Sequence, residues 1–334
     1  MKHSLISKRT ILTLFIIPIS LLCFGTYSFA LSVRVLILDN KYKSIPKLDD
    51  TRKIGNINGK LLFKGIQYSG KIEIFKSDQG LFVVNELPLE EYVKGVVKVE
   101  TGKNWPIEAL KAQAVASRTY AIYNMRHRNG SIYDLASSTL SQMYRGVKSD
   151  PDVDIAVNAT KGEILTYNGA PIDALYHSTS GGVTEFPEEV FGKSFPYLTS
   201  VKTDCTASPY YIWERRISRD ILQNSLDIKN INNIEVISRT RTGRAKELRI
   251  DTSEDSVVIT ATKFRKAVGW KRLPSTWFSI SVNGNLFAFS GRGYGHGVGM
   301  CQWSAMEMAK KGVNYKKILA TFYPGTVIEL YEDK

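Results

Sequence analysis

The run GRGYGHGVG, residues 291–299, puts glycine at every second position and a single histidine, His296, near its middle. In an extended chain successive side chains point to opposite faces. The spacing therefore predicts a ribbon with one bare face and with Arg292, Tyr294, His296, Val298 and Met300 on the other. A bare face lets a second backbone or a flat ligand come close. Phosphate cradling does not fit, because neither G-x-G-x-x-G nor G-x-x-x-x-G-K can be read anywhere in the run. A helix is expected directly after it, over residues 303–311.

The N-terminus sets the compartment. Lys2, Lys8 and Arg9 precede an apolar run over 11–24, and Ser28-Phe29-Ala30 follows as a small-x-small cleavage pattern. The run is short for a bilayer span, which needs ~20 apolar residues, and Pro18 interrupts it. Residues 1–30 are thus read as a cleaved export signal in preference to a retained membrane anchor. Either way the body of the chain, 31–334, is expected outside the cytoplasm. A net charge of +13 favours an acidic partner. Outside the cytoplasm that partner is anionic lipid or a cell-wall polymer, not nucleic acid. Cys205 and Cys301 remain after the signal and could pair, but sequence does not bring them together. There is no CxxC, no HExxH and no histidine cluster, so neither a metal nor a cofactor is expected.

From Ser32 the chain alternates in short β-branched segments: SVRVLILD, GKLLFKG, GKIEIFKS and GLFVVNEL, each bounded by Gly, Asp or Asn. They read as strands of a small antiparallel layer. Two helices follow, then GEILTYNG and IDALYHST as strands, an irregular stretch over 181–210, and a second β-rich portion over about 231–289. The chain closes with the glycine ribbon, a helix and a last strand, TVIELYE. No fixed-period repeat or low-complexity linker appears, so the fold class is α+β, a β-rich mixed fold with a few helices packed on antiparallel sheets. One main domain is expected, with a possible β-rich subdomain over about 206–285.

Two ionisable residues interrupt apolar stripes. The first helix carries Leu89, Tyr92, Val93, Val96 and Val97 at helical spacing, and the next member of that series is Glu100. Glu90, Glu91, Lys94 and Lys98 take the wet face. A carboxyl held against apolar neighbours has its charged form disfavoured, which suits a general acid near neutrality. The second helix, IEALKAQAVASRTYAIYNM, opens with Pro106 in its first turn. Its stripe runs Ile107, Leu110, Ala114, Arg118, Ala121, Ile122 and Met125, with Arg118 where an apolar residue belongs. The plainer alternative is a structural ion pair between Arg118 and Glu100, which would oppose a raised carboxyl pKa.

A third cluster is YHSTSGGVTE, with Tyr176, His177, Ser178, Ser180, Gly181 and Gly182 at a strand end. Such loops often carry binding groups, although a plain turn explains the composition as well. Neither serine lies in a G-x-S-x-G elbow, so serine hydrolysis is not indicated.

Taken in order, LEEYVKGVVKVETGKNWPIEALKAQAVASRTYA (89–121), YHSTSGGVTE with FGKSFPYLTSV (191–201), and GRGYGHGVGMCQWSAMEMAKKG with ILATFYPGT (318–326) resemble the SpoIID/LytB family, named for stage II sporulation protein D and the amidase enhancer. LPSTWFSI (273–280) is a weaker match. The resemblance implies a peptidoglycan lytic transglycosylase that cuts between N-acetylmuramic acid and N-acetylglucosamine and leaves a 1,6-anhydro end. It implies a glycan-binding groove, Glu100 as the one catalytic acid, and a substrate or activity role for Arg118. Gln113, Tyr176, His177, Ser178, Ser180, Gly181, Gly182, Tyr294, His296 and Gln302 are the remaining candidate substrate contacts. A cell-wall amidase is the implied partner, and a non-catalytic enhancer of such an amidase is the alternative reading. Where the family usually has Glu-Met-Pro, this chain has Glu100-Thr101-Gly102. Some relatives bind zinc after the second helix, but here that stretch reads DLASSTLSQMYRG and holds no Cys or His, so no metal is carried over.

Overall fold

Why the second helix should be buried nearly all round is clear once its neighbours are placed. In a computed structural model, which describes residues 31–38, 47–128, 130–137 and 141–332, the second helix separates two hydrophobic cores. The expected signal segment, with Cys23, lies outside the described residues. From Leu31 onward the chain packs as one unit.

The first core lies under a five-stranded sheet. Strands β1 (Ser32–Leu36), β2 (Arg52–Phe63), β3 (Ile66–Ser77) and β4 (Gly80–Pro88) run antiparallel in the order β2-β3-β4-β1, and Leu135–Ala136 adds in parallel beside β1. Period-2 alternation sends Val33, Val35, Tyr68, Ile72 and Leu87 inward. Against them lies helix α1 (Leu89–Glu100), whose expected stripe of Leu89, Tyr92, Val93, Val96 and Val97 is buried throughout. Helix α2 (Ile107–His127) gives Leu110, Ala114, Ala121 and Ile122 to this core, and Ala109, Ala112, Val115 and Ala116 to the next. Its small side chains let neighbours approach from both sides, which a one-sided stripe does not show. Helix α3 (Pro151–Ala159), capped by Asp150, closes this layer.

The second core gathers Leu165, Ile172, Ala174, Val298, Met300 and Cys301 under helices α7 (Gln302–Lys310) and α8 (Tyr315–Phe322). Strand Val327–Leu330 pairs antiparallel with Glu163–Tyr167 at its edge. Between these parts runs the short helix α4 (Pro187–Phe191). A third core, spanning Trp213 to Phe289, lies between two three-stranded antiparallel sheets. It also holds helices α5 (Arg219–Leu226) and α6 (Ala261–Val268), which the β-rich reading of this portion does not single out. Each starts at a hydroxyl cap, Ser218 or Thr260, that accepts an N–H from three residues on.

The fold is therefore α+β, with eight helices and several antiparallel sheets among the described residues. One expected strand is much shorter: IDALYHST contributes only Tyr176–His177, paired in parallel with Met300–Cys301. The glycine run departs further from expectation. Gly293, Gly295, Gly297 and Gly299 all have positive φ, from 71° to 113°, so the segment is a coiled loop and not an extended ribbon. Its glycines do serve close approach. A Cβ at Gly299 would lie 2.0 Å from the Leu175 carbonyl, one at Gly293 2.8 Å from the Thr179 carbonyl, and one at Gly295 2.8 Å from the His177 Cβ. What comes close is the protein's own 175–180 segment, bridged where Thr179 and Tyr294 exchange backbone hydrogen bonds.

Candidate active site

Helix α1 ends at Glu100 because Thr101 turns the chain out. Thr101 is extended, and both its N–H and its hydroxyl bond back to the Val97 carbonyl, at 3.0 and 2.7 Å. Glu100 thus stands at the negative end of the helix dipole, which disfavours its charge. Gly102 follows beneath the Trp105 indole, where a Cβ would come within 2.4 Å of Nε1.

A second glycine shapes the other side of the carboxyl. A Cβ at Gly95 would lie 2.7 Å from both the Gly146 carbonyl and the Tyr144 ring. Lacking one, α1 lets residues 141–146 cross it, and this crossing delivers the Met143 N–H to Glu100 Oε1 at 2.8 Å. Gln302, the first residue of α7, donates through Nε2 to Glu100 Oε2 at 3.4 Å and to Gln113 Oε1 at 3.2 Å. Gln113 in turn donates to Ser117 Oγ at 3.0 Å. Gln142 accepts from the Tyr92 hydroxyl at 2.9 Å and donates to the Ser117 carbonyl at 3.2 Å. The Tyr176 hydroxyl is buried close to Glu100 and has no aligned hydrogen-bond partner among the described residues.

Glu100 is half-buried, with neutral donors at both oxygens and no ion pair among the described residues. Burial raises its pKa, while the Met143 N–H and the Gln302 amide pull it partly back. The net shift is upward, because two neutral donors compensate less than a cation would.

Arg118 is the main correction. It does not meet Glu100. It is fully buried, and its guanidinium forks onto Glu90 at 2.8 and 2.7 Å while Nη1 donates to the Glu163 carbonyl at 3.0 Å. Glu90, placed on the wet face by the helical pattern, also accepts from the Gly162 N–H at 3.2 Å. With every edge of the fork engaged and no exposed surface, Arg118 ties α1, α2 and strand Glu163–Tyr167 together and presents nothing to a ligand.

Next to Tyr176 opens a cavity of about 370 Å³. Its walls include Tyr120, Tyr176, Phe191, Trp270, Tyr294 and His296. Arg265 also reaches it, but its Nε and Nη2 donate to the Leu273 and Pro274 carbonyls and its plane lies 4.5 Å from the Trp270 ring. His296 accepts from the Val298 N–H at Nδ1, 3.1 Å away, and burial lowers its pKa to about 4. Its ring lies 5.5 Å from those of His177 and Phe191.

The candidates therefore fall into three groups. Glu100, Gln302 and Gln113 form one hydrogen-bonded cluster, with the Tyr176 hydroxyl close to Glu100 but not bonded into it. Tyr294 and His296 share the cavity wall with Tyr176. His177, Ser180, Gly181 and Gly182 pack behind the glycine loop: His177 Nδ1 bonds the Val298 carbonyl, Ser180 Oγ is 2.6 Å from Thr203 Oγ1, and Gly181 lies against Arg292. Ser178, half-buried, bonds Thr179 Oγ1 and gives its carbonyl to the Trp303 N–H. Sequence reasoning missed Gln142, Met143, Phe191 and Trp270. None lies on a periodic stripe, and Met143 acts through its backbone, which no side-chain pattern reveals.

A family model described as stage II sporulation protein matches residues 77–167, which include Glu100, and a domain of unknown function matches 194–299. An uncharacterized protein of Brachyspira hyodysenteriae is 36% identical over 274 residues, 80% of this chain and 73% of that relative. Stage II sporulation protein D of Bacillus subtilis is 33% identical over 264 residues, 73% of this chain and 75% of its own. The chain belongs to the SpoIID family. This SpoIID protein is also 30% identical over 292 residues to a Bacillus subtilis protein named amidase enhancer, spanning 72% of this chain and 40% of that longer relative. A role in cell-wall remodelling fits these names. No described helix is long and apolar enough to cross a membrane, and no cluster of three or more His, Cys, Asp or Glu with metal-binding geometry occurs among the described residues.

Proposed function

We propose that this protein is a peptidoglycan lytic transglycosylase, exported to the cell wall, with Glu100 as its single catalytic acid and base. The observation that carries the reading is a carboxyl with a raised pKa and no cationic partner among the described residues, held by amides and close to Tyr176, which itself lines the aromatic-walled cavity. Protonated Glu100 gives its proton to the glycosidic oxygen as the bond to the anomeric carbon breaks. The resulting carboxylate takes the proton of the sugar's own 6-hydroxyl, whose oxygen closes on that carbon. No second carboxylate and no water molecule has to be positioned, unlike in two-carboxylate hydrolases. Gln302 and the Met143 N–H keep both oxygens of Glu100 in place between the two transfers. Tyr176, Tyr294, His296 and Trp270 offer the rings and polar edges that suit a sugar ring. Proton transfer of this kind contributes ~10²–10⁴-fold, so positioning in the cavity supplies much of the remainder.

The test is incubation of the protein with peptide-free glycan strands and mass analysis of the ends. Release of 1,6-anhydromuramic ends supports the enzyme. Tight binding to the glycan without any release supports the second reading, a wall-binding enhancer of an amidase, which the name of the longer relative favours.

A further inference from the structure

Cys205 and Cys301 are both fully buried and both free thiols. Cys205 lies in the loop before strand Trp213–Ser218, and Cys301 is the residue that precedes α7 at its N-terminal end. The fold brings the two sulfurs together, close enough to hydrogen-bond one another. Ser180 holds both: its N–H donates to Cys301 Sγ at 3.3 Å, and its hydroxyl is 3.3 Å from Cys205 Sγ. We infer that Cys205 and Cys301 are a disulfide-forming pair, oxidised in the exported protein by thiol–disulfide exchange, and that the bond clamps the start of α7 to the loop before strand Trp213–Ser218.

The two sulfurs are chemically unlike. Cys205 faces the Cys301 thiol, the Ser180 hydroxyl and the N–H groups of Gly181 and Gly182, donors that draw its pKa down. Cys301 is deeper, and burial keeps it protonated. Exchange runs through a thiolate, and of the two sulfurs Cys205 has the surroundings that favour one. The oxidant is a disulfide, either that of an extracytoplasmic thiol oxidoreductase or a small one such as oxidised glutathione. The Cys205 thiolate attacks one sulfur of that disulfide and expels the other as a thiolate. Cys301 then loses its proton to solvent, attacks the Cys205 sulfur of the mixed disulfide, and expels the oxidant's remaining sulfur. Two electrons pass from the cysteines to the oxidant, which leaves as a dithiol or as two thiols. Since neither sulfur is exposed in the folded protein, exchange occurs before the Cys205 loop closes or when it opens.

Because Gln302 follows Cys301 directly, the clamp also fixes the amide that donates to Glu100. The inference rests on the extracytoplasmic reading and not on glycan cleavage. Its test is therefore read without substrate. Protein recovered after export is denatured with an alkylating agent but no reductant, digested, and analysed by mass. The expected result is a Cys205–Cys301 linked peptide with neither residue alkylated. Reduction is expected to lower the melting temperature by ~5–10 °C, as for a crosslink closing a loop of roughly 100 residues. The double variant Cys205→Ser/Cys301→Ser should melt as the reduced protein does, with no response to reductant. Two alkylated thiols in the exported protein would overturn the pairing, and a melting temperature unmoved by reductant would overturn the clamp.

Discussion

Glu100 meets neutral donors at both oxygens, while the arginine about three turns into the next helix is given to Glu90. This leads to a prediction on stability. A carboxyl whose folded pKa lies above its unfolded value favours folding when protonated, and that contribution is lost as pH rises through the folded pKa. Glu100→Gln keeps the shape and removes the ionisation, so it should raise the melting temperature at pH ~8 and leave it unchanged at pH ~4. Thermal melts of both proteins across that range decide it. The two neighbouring histidines have the opposite sign. Burial depresses both, His296 to about 4. Stability that is full above pH ~6.5 should therefore fall as pH drops towards 4, because the unfolded chain takes up protons first. In His296→Gln that acid slope should be shallower by one proton. Of these residues Glu100 is the one that helical periodicity marks, because a glutamate that continues an apolar stripe has few innocent explanations. Of its partners, Gln302 enters only as a candidate contact that the resemblance implies, and the Met143 backbone N–H is not legible at all.

At the scale of elements, α1 is positioned by what crosses it and what is tied to it. Gly95→Ala forces a methyl against Gly146 and Tyr144, so the 141–146 segment must shift. Overpacking of this kind costs about 1–3 kcal/mol. It should also lengthen the Met143 contact and lower glycan cleavage without touching the cavity walls. Arg118→Ala removes one partner of a buried fork, a loss of about 3–5 kcal/mol. If Arg118 acts only through the fold, activity measured well below the melting temperature should fall no further than the folded fraction does. Long periodic elements are legible in the sequence: β3, β4, α1, α2 and α7 lie close to where alternation or helical spacing puts them, while β2 begins seven residues before the expected GKLLFKG segment, over Arg52–Phe63. The failures have local causes. Helices α5 and α6 are two turns each and sit among β-branched segments, so window patterns average them away. The glycine run misleads because alternation implies a strand only when φ is negative, and four of its glycines have positive φ.

Among the described residues, three of the four hydrophobic cores meet at the candidate site. The first carries Glu100, the second carries Gln302 and the glycine loop, and the third brings Trp270 and Arg265 to the cavity. A site assembled from all three is hard to read from sequence, since its members come from positions spread between 100 and 302 and only the first is marked by periodicity. The central claim is that one carboxyl performs both proton transfers while the rest of the site binds. The most direct measurement compares wild type and Glu100→Gln on one peptide-free glycan preparation, with binding by sedimentation and ends by mass. The account predicts equal binding, 1,6-anhydro ends from wild type, and a rate lower by ~10²–10⁴-fold in Glu100→Gln. Undiminished release by Glu100→Gln, or no release by wild type on glycan it binds, would contradict it.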